Sequence, residues 1–272
     1  MKICDFHFVL SSTCTTFAIQ MKLTYIFHSG FAIETDCCML IFDYWMDPAG
    51  IIPDLLSTSK PVYVFASHFH EDHFTREILA WPTNYPGTTF TFILSKDILK
   101  RRRAGKDEAT VWMAKGAQWT DEHLKVYATG SNDSGVSWIV EVEGKRIFHA
   151  GDLNNWYARF LTDDYDGSTI YSEEFGEINP LQDEKQYLGE LKDISKIAED
   201  FDFVMFPVDG RIGNGYTRGA RQFIDKFKVG FFIPMHFVMS GFRSAWRMKE
   251  FTDEKSIPFW SISHDGETIE QE

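Results

Sequence analysis

Three apolar segments of this chain are each followed directly by side chains that can bind a metal. The segments are VYVFAS at 62–67, RIFHAG at 146–151 and FFIPM at 231–235. The candidate ligands that follow them are His68, His70, Asp72 and His73, then Asp152, then His236. Ligands held on short loops at strand ends are fixed by a rigid scaffold and remain open to solvent. The pattern therefore predicts that strands distant in the sequence end at one edge of the fold, around a common cation.

The spacing within HFHEDH indicates how two ions could be shared. In an extended segment, His68 and His70 project to the same side and can bind one ion. Asp72 and His73 come next on a turning backbone and can face a second ion, and Asp152 has two carboxylate oxygens with which to bridge them. Imidazole and carboxylate ligands together suit zinc, iron or manganese. A metal lowers the pKa of its water to about 7, which gives a nucleophile at neutral pH.

The order of the elements predicts a mixed α/β fold. A run of strands passes into strand–helix alternation, and the chain does this twice, which indicates a sheet in each half with helices outside. We expect one domain over 21–272, preceded by an extension of uncertain order at 1–20. Among the local predictions are a helix over 74–82 that stops at Pro82, an irregular loop over 153–186 before a helix at 186–200, and a closing hairpin over 257–270.

Composition narrows the class of partner. With 44% hydrophobic residues, including 25 Phe and 8 Trp, the chain can bury a sizeable core. The formal net charge of −13 disfavours nucleic acid as a partner, and the basic run KRRRAGK at 100–106 is interpreted as a solvated helix face.

The four cysteines form no CxxC pair, which favours reduced thiols and a cytoplasmic protein. No stretch is long enough to span a membrane, and self-association is a further hypothesis.

These motifs resemble those of the metallo-β-lactamase superfamily. HFHEDH matches its HxHxDH signature, HAGD at 149–152 resembles its later aspartate motif, and PMHF at 234–237 resembles its final histidine motif. YIFHSGFAIET at 25–35 resembles the opening hairpin of the branch that includes L-ascorbate-6-phosphate lactonases and uncharacterised Zn-dependent hydrolases. The resemblance covers residues 21–270 and implies a four-layer αββα sandwich of two mixed β-sheets flanked by helices, with metals at one edge.

The resemblance also implies a role for each candidate ligand. His68 and His70 would belong to the first metal and Asp152 would bridge. Asp72, His73 and His236 would belong to the second metal, and Asp72 would also be catalytic because it orients the attacking water.

One departure from the family pattern concerns the first metal. The family supplies a further histidine between the HxHxDH turn and the bridging aspartate, but His123, the histidine found there, lies at the wrong end of its strand. The loop where the ligand belongs reads GSNDSG, residues 130–135. Ser131, Asp133 or water could substitute, or the protein could hold a single ion at the second site.

Two other histidines are near these motifs. His149, three residues before Asp152, is expected to support the ligands rather than bind metal. His28, in the opening hairpin, either positions the site or is a satisfied strand histidine.

Several further residues are candidates for the substrate pocket. Asp209 and Arg211 follow another strand end and could line it. Arg211 or Arg218 could hold an anionic group, or they could be solvated at the surface. Trp156 and Tyr157, just after the bridging aspartate, could form a pocket wall or serve only packing.

The sequence thus predicts a metal-dependent hydrolase with one or two Zn²⁺ ions, or Mn²⁺ or Fe. Its substrate would be a small, anionic or neutral molecule such as a lactone or a phosphorylated metabolite. The alternatives are a phosphodiesterase or nuclease of the same fold, a redox protein with two irons, and a non-catalytic metal-binding protein.

Overall fold

The computed structural model describes residues 20–173 and 176–271. The predicted extension at 1–20 lies outside the described residues, apart from Gln20. The strands are β1 Met21–Phe27, β2 Gly30–Glu34, β3 Met39–Phe42, β4 Val62–Ala66, β5 Phe90–Ser95, β6 Val111–Met113, β7 Gln118–Thr120, β8 Leu124–Gly130, β9 Val136–Val142, β10 Lys145–His149, β11 Ile170–Ser172, β12 Gly176–Ile178, β13 Asp200–Pro207, β14 Lys228–Met235 and β15 Thr268–Gln271. The α-helices are α1 Ile52–Leu56, α2 Trp81–Asn84, α3 Lys96–Lys100, α4 Pro180–Ile194, α5 Arg218–Lys226, α6 Phe242–Ala245 and α7 Arg247–Glu254. Short 3₁₀ helices are Arg76–Ala80, Lys106–Glu108, Ala158–Phe160 and Gly210–Ile212.

Two mixed sheets form the centre of the fold. The first has seven strands in the order β15-β1-β2-β3-β4-β5-β6, and the second has six in the order β14-β13-β10-β9-β8-β7. Strands β3 to β6 are parallel, as are β10, β13 and β14, whereas the other neighbours are antiparallel. Parallel neighbours end at the same edge, so the loops after these strands collect at one rim.

The alternation of side chains along β4 separates two apolar layers. Tyr63 and Phe65 face the core between the sheets, and the Phe65 ring lies 5.6 Å from that of Trp138 on β9 of the other sheet. The intervening side chains of β4 point outward into a second apolar cluster with α1, α2 and α3. On the opposite outer face, Phe223 of α5 packs 4.9 Å from Phe148 of β10. The predicted four-layer αββα sandwich is therefore confirmed.

Three local predictions are wrong, two of them about helices and one about the closing segment. Pro82 does not stop a helix; it lies in the first turn of α2, where the missing N–H costs nothing. Helix α4 begins at Pro180 rather than at 186, because Asn179 caps it by accepting a hydrogen bond of 3.0 Å from the backbone N of Gln182.

The closing segment forms no hairpin. Strand β15 instead pairs with β1 in the first sheet, and Phe259 makes a single bridge to Phe232 of β14 in the second. The chain thus contacts the second sheet at Phe259 and then joins the first sheet as β15. Pairing with such distant partners cannot be inferred from a local hairpin pattern. Across the described ranges, none of the helices has the length and apolarity needed to cross a membrane.

Candidate metal centre

Six strand ends bring the candidate ligands, and the carboxylates of Asp43 and Asp209 behind them, to one rim. In the first sheet, Asp43 follows β3, the HFHEDH segment follows β4, and His28 follows β1, which runs in the same direction as β3. In the second sheet, Asp152 follows β10, Asp209 follows β13 and His236 follows β14. The predicted convergence of segments near residues 70, 152 and 236 is thus seen in the fold.

The side chains form two clusters of metal-binding type. The first cluster contains His68, His70, Asp133 and Asp152, and the second contains His28, Asp72, His73 and His236. In each cluster one donor atom of every residue lies within 4.8 Å of the others. Donors about 2.1 Å from one zinc ion are separated by about 3.0 to 4.2 Å, depending on the angle between them. Both clusters therefore approach the dimensions of a cation site.

Asp152 lies between the two clusters and presents one oxygen to each. Its Oδ1 is 3.0 Å from Nε2 of His73 and 3.4 Å from Nε2 of His236. Its Oδ2 is 3.4 Å from Nε2 of His68. The carboxylate thus has the orientation of a bridge between two ions.

A loop carries Asp133 to the first cluster. The backbone N of Val136 donates a hydrogen bond of 3.0 Å to the carbonyl oxygen of Ser67, which ties this loop to the end of β4. Gly135 has a φ of +65°, and a Cβ there would lie 2.5 Å from Cβ of His68. This close approach leaves Oδ2 of Asp133 at 3.8 Å from Nδ1 of His70. Ser131 is outside the cluster, where its hydroxyl accepts a hydrogen bond of 3.2 Å from the backbone N of Asp133.

Hydrogen bonds on the far ring nitrogens orient three of the histidines. Nδ1 of His73 is 2.6 Å from Oδ2 of Asp43, and Nδ1 of His236 is 3.0 Å from Oδ2 of Asp209. Nδ1 of His68 is 2.9 Å from the hydroxyl of Ser67. Each contact leaves Nε2 directed at the cluster, as ligating histidines require.

His149 lies behind the site rather than in it. Its Nε2 is hydrogen-bonded to the carbonyl oxygen of Ser29 at 2.9 Å, and its Nδ1 accepts a hydrogen bond of 3.2 Å from the backbone N of Gly151. Both ring nitrogens are therefore engaged by backbone. Nδ1 is also 3.9 Å from Oδ2 of Asp43, the carboxylate that orients His73.

The charges of the site shift several pKa values. Burial raises the pKa of Asp152, but the facing His73, His236 and His68 more than offset this and hold the pKa well below its usual range. The Asp152 and Asp43 carboxylates raise the pKa of His73 against the effect of burial. Burial, together with the neighbouring His236, lowers the pKa of His28 to about 4.

Several donor atoms at the centre have no hydrogen-bond partner although they are buried. They are Nε2 of His73, Oδ1 of Asp152 and both ring nitrogens of His28. Unpartnered buried polar atoms are costly, and native proteins avoid them unless an ion or another group satisfies them. Imidazole nitrogens and carboxylate oxygens directed at one point fit a divalent cation.

A cavity of about 360 Å³ opens onto the two clusters. Among the predicted contacts, Trp156, Tyr157 and Arg211 line it, whereas Arg218 lines a different cavity and pairs with Glu184 at 2.7 Å. Asp209, which was expected to line the pocket, also does so, whereas the lining residues that the sequence did not predict are Asn132, Arg159, Asp183 and Ile212.

Hydrogen bonds hold two of the predicted lining residues, Trp156 and Arg211, in place. The Trp156 indole donates a hydrogen bond of 2.8 Å to the carbonyl oxygen of Asp152, and its ring lies 5.3 Å from that of His236. The Arg211 guanidinium makes two hydrogen bonds of 2.6 and 2.8 Å to Oδ2 of Asp209. Both residues are therefore held at the mouth of the metal centre.

Fold and site together define a metallo-β-lactamase-type protein: a four-layer sandwich with paired histidine–carboxylate clusters at one rim. Residues 22–159 match the family model described as the β-lactamase superfamily domain. The chain belongs to this superfamily.

Similar proteins include one with a curated name and several with solved structures. A UPF0173 metal-dependent hydrolase of Korarchaeum cryptofilum (strain OPF8) is 25% identical over 144 residues, which are 51% of this chain and 63% of that protein. The matched part of the chain thus spans less than two thirds of that relative.

Two solved structures share the fold. Igni18, a metallo hydrolase from Ignicoccus hospitalis KIN4/I, superposes with a TM-score of 0.62 at 16% identity, over 93% of this chain and 99% of that chain. CmlA, a diiron β-hydroxylase from Streptomyces venezuelae, gives 0.58 at 10% identity, over 94% of this chain and 55% of that chain. At such identities the likeness concerns the fold alone.

Proposed function

We propose that this protein is a metal-dependent hydrolase of small molecules, with zinc as its cation. The observation that carries the proposal is the position of Asp152, whose two oxygens face separate histidine clusters at the floor of an open cavity. When bound there, a divalent cation polarises a carbonyl or phosphoryl oxygen and acidifies a water, so that no serine or cysteine nucleophile is required. The curated relative, whose name describes a metal-dependent hydrolase, supports the same class.

The residues of the chain would divide the remaining work. Asp72 lines the cavity, and its side chain is 32% exposed. Burial raises its pKa, but His28 and His73 nearby bring the pKa below the usual range, so the carboxylate is ionised and can accept a proton from an attacking water. Asp43 and Asp209 contact Nδ1 of His73 and of His236, which would leave Nε2 of each ring as the nitrogen that binds metal.

Asp133 is proposed to replace the histidine that the family usually supplies to the first metal. Its carboxylate lies in the first cluster with His68 and His70. Its side chain is 39% exposed and that of His70 is 41% exposed, so this side of the centre is the one open to exchange with solvent.

The cavity favours a small substrate over a polymer. Its volume of about 360 Å³ lies near the lower end of the range for small-molecule sites. Five of its lining residues are aspartates, namely Asp72, Asp133, Asp152, Asp183 and Asp209, against the two arginines Arg159 and Arg211. Such a lining suits a lactone or a small phosphate ester whose anionic group contacts Arg211, rather than a long polyanion.

Metal analysis and a substrate panel test the proposal together. We expect purified protein to contain zinc rather than iron, and to hydrolyse some members of a panel of lactones, nitrophenyl phosphodiesters and β-lactams. Asp72→Ala should lower kcat/KM at least about 100-fold, the lower end of a general base's contribution. His264→Ala, at an exposed turn, is the matched control and should keep full activity. Full turnover in Asp72→Ala would refute the mechanism.

A further inference from the structure

His28 occupies a position for which the superfamily signature does not account. The residue is 1% exposed, and neither ring nitrogen has a hydrogen-bond partner. Its Nε2 lies 3.3 Å from Oδ2 of Asp72, and its ring centroid lies 4.1 Å from that of His236. The polar groups that this buried ring faces thus belong to the second cluster, and none of them satisfies a ring nitrogen with a hydrogen bond of good geometry, so packing alone does not explain the side chain.

The backbone around His28 is strained in a way that directs the ring to the centre. His28 has a φ of 57° and His236 a φ of 62°, in the left-handed region that non-glycine residues rarely adopt. The two strained residues are joined, since the backbone N of His236 donates a hydrogen bond of 3.1 Å to the carbonyl oxygen of His28. The backbone N of His28 in turn donates one of 2.8 Å to the hydroxyl of Tyr25. Strain that is held by specific bonds at a site points to a function there.

We propose that His28 is a ligand of the second metal, an inference that rests on the metal centre proposed above. The second cluster would then hold its cation more tightly than the first. The second cluster would supply three imidazoles and Asp72, with Oδ1 of Asp152 beside them, whereas the first supplies two imidazoles, Asp133 and Oδ2 of Asp152.

Burial and rigidity also favour tighter binding of a cation by the second cluster than by the first. The three histidines of the second cluster are at most 4% exposed, and hydrogen bonds fix the rings of His73 and His236. In the first cluster His70 is half-buried and Asp133 is exposed, and Nε2 of His68 lies 2.9 Å from Nδ1 of His70, so the two rings hydrogen-bond each other. More donors, already held in place, bind a cation with less loss of conformational freedom. The missing histidine of the first site is thus matched by an added histidine at the second.

X-ray absorption at the zinc edge, on metal-free protein given one equivalent of Zn²⁺, tests the ligand directly. We expect three imidazoles at about 2.0–2.1 Å. Two imidazoles would overturn the inference, whether the ion then lies in the first cluster or in a second cluster that excludes His28. If the protein bound no zinc, the proposed function would fail and this inference with it, so the two failures are distinguishable.

Competition with a chromophoric chelator tests the order of affinity. In His28→Phe, which keeps an aromatic ring without donors, the Kd of the tighter ion should rise more than about 100-fold, because even residues behind the ligands are worth about 10–100-fold. In the matched variant His70→Ala, the tighter ion should be kept with its Kd unchanged and the weaker ion lost. The reverse result would overturn the inference. His28→Asn serves as a second variant, and thermal unfolding of the metal-free proteins checks that each is folded.

Discussion

Oδ2 of Asp43 lies 2.6 Å from Nδ1 of His73, and both side chains are fully buried. The other oxygen of Asp43 accepts a hydrogen bond of 2.7 Å from the backbone N of Ser67. One carboxylate thus fixes both the first residue after β4 and the ring of the last histidine in the HFHEDH segment. The position of the metal-binding turn depends on a residue outside the signature, at the end of the neighbouring strand β3.

Removing the charge of Asp43 should therefore weaken metal binding. Asp43→Asn should raise the Kd for Zn²⁺ about 10- to 100-fold, the usual effect of losing a carboxylate behind a ligating histidine. The measurement is competition with a chelator. Asp121→Asn is the control, because Asp121 also accepts backbone hydrogen bonds, from His123 and Leu124, but touches neither cluster. Equal affinities in the two variants would contradict the assigned role of Asp43.

The proposed place of Asp133 in the first cluster gives a prediction on stoichiometry. Asp133→Ala should reduce zinc content from two ions to one at micromolar free zinc, because it removes an anionic donor from the more exposed site. Elemental analysis after gel filtration measures this. Ser131→Ala, which removes only the hydroxyl that accepts from the Asp133 backbone, should keep both ions. If Ser131→Ala lost zinc and Asp133→Ala did not, the assignment of Asp133 as the ligand would be wrong.

Gly135 permits the close contact between the Asp133 loop and the end of β4. A Cβ there would lie far inside contact distance of the Ser67 carbonyl oxygen, so Gly135→Ala must displace backbone. We expect it to lower the free energy of unfolding by about 3 kcal/mol or more. Gly144→Ala is matched, since Gly144 also has a positive φ but nothing within 4 Å of its added Cβ, and should cost about 1 kcal/mol. Urea unfolding compares them, and equal losses would show that crowding at Gly135 is unimportant.

The raised pKa of Asp183 leads us to predict that the stability of the metal-free protein depends on pH. Burial, with Asp133 and Glu184 nearby, raises its pKa from 3.8 to about 6. The folded state therefore holds this proton more tightly than the unfolded chain does, and ionisation destabilises the fold as the pH rises from about 4 through 6.

Asp183→Asn should accordingly be more stable than the parent at pH 7.5, by about 1–2 kcal/mol after allowance for solvent screening, and should equal it near pH 4. Thermal unfolding across this range measures the difference. Asp163→Asn, an exposed carboxyl, should show no such pH-dependent gain. A constant difference at all pH values would exclude ionisation of Asp183 as its cause.

The sequence predicts the metal-binding rim well where ligands follow strands that end in buried residues. The segments around His68, Asp152 and His236 each follow such a strand, and parallel strands within a sheet end at a shared edge. The signal for Asp43 is of the same type, since it follows MLIF directly. A single acid after a strand is, however, a much weaker indication of a metal site than three histidines in one turn.

Other features could not be predicted because they depend on partners far along the chain. The place of His28 in the second cluster depends on a left-handed residue and on contact with the end of β14. Strands β6 and β7 have three residues each and exist through pairing with longer neighbours rather than through their own propensity. Helix α4 did carry a local signal, the Asn179–Pro180 cap, which outweighs the polar composition that indicated a loop.

The two clusters draw their donors from both sheets, with His28 and His73 on the first and Asp152 and His236 on the second. A cation bound between them links its own affinity to the docking of one sheet against the other, because separating the sheets divides its ligands. At a free concentration one hundred times Kd, such binding adds about 2.7 kcal/mol to the free energy of unfolding. Amide hydrogen exchange at the β1–β2 turn and at the end of β14 should then slow together when zinc is added, although more than 200 residues separate them in the chain.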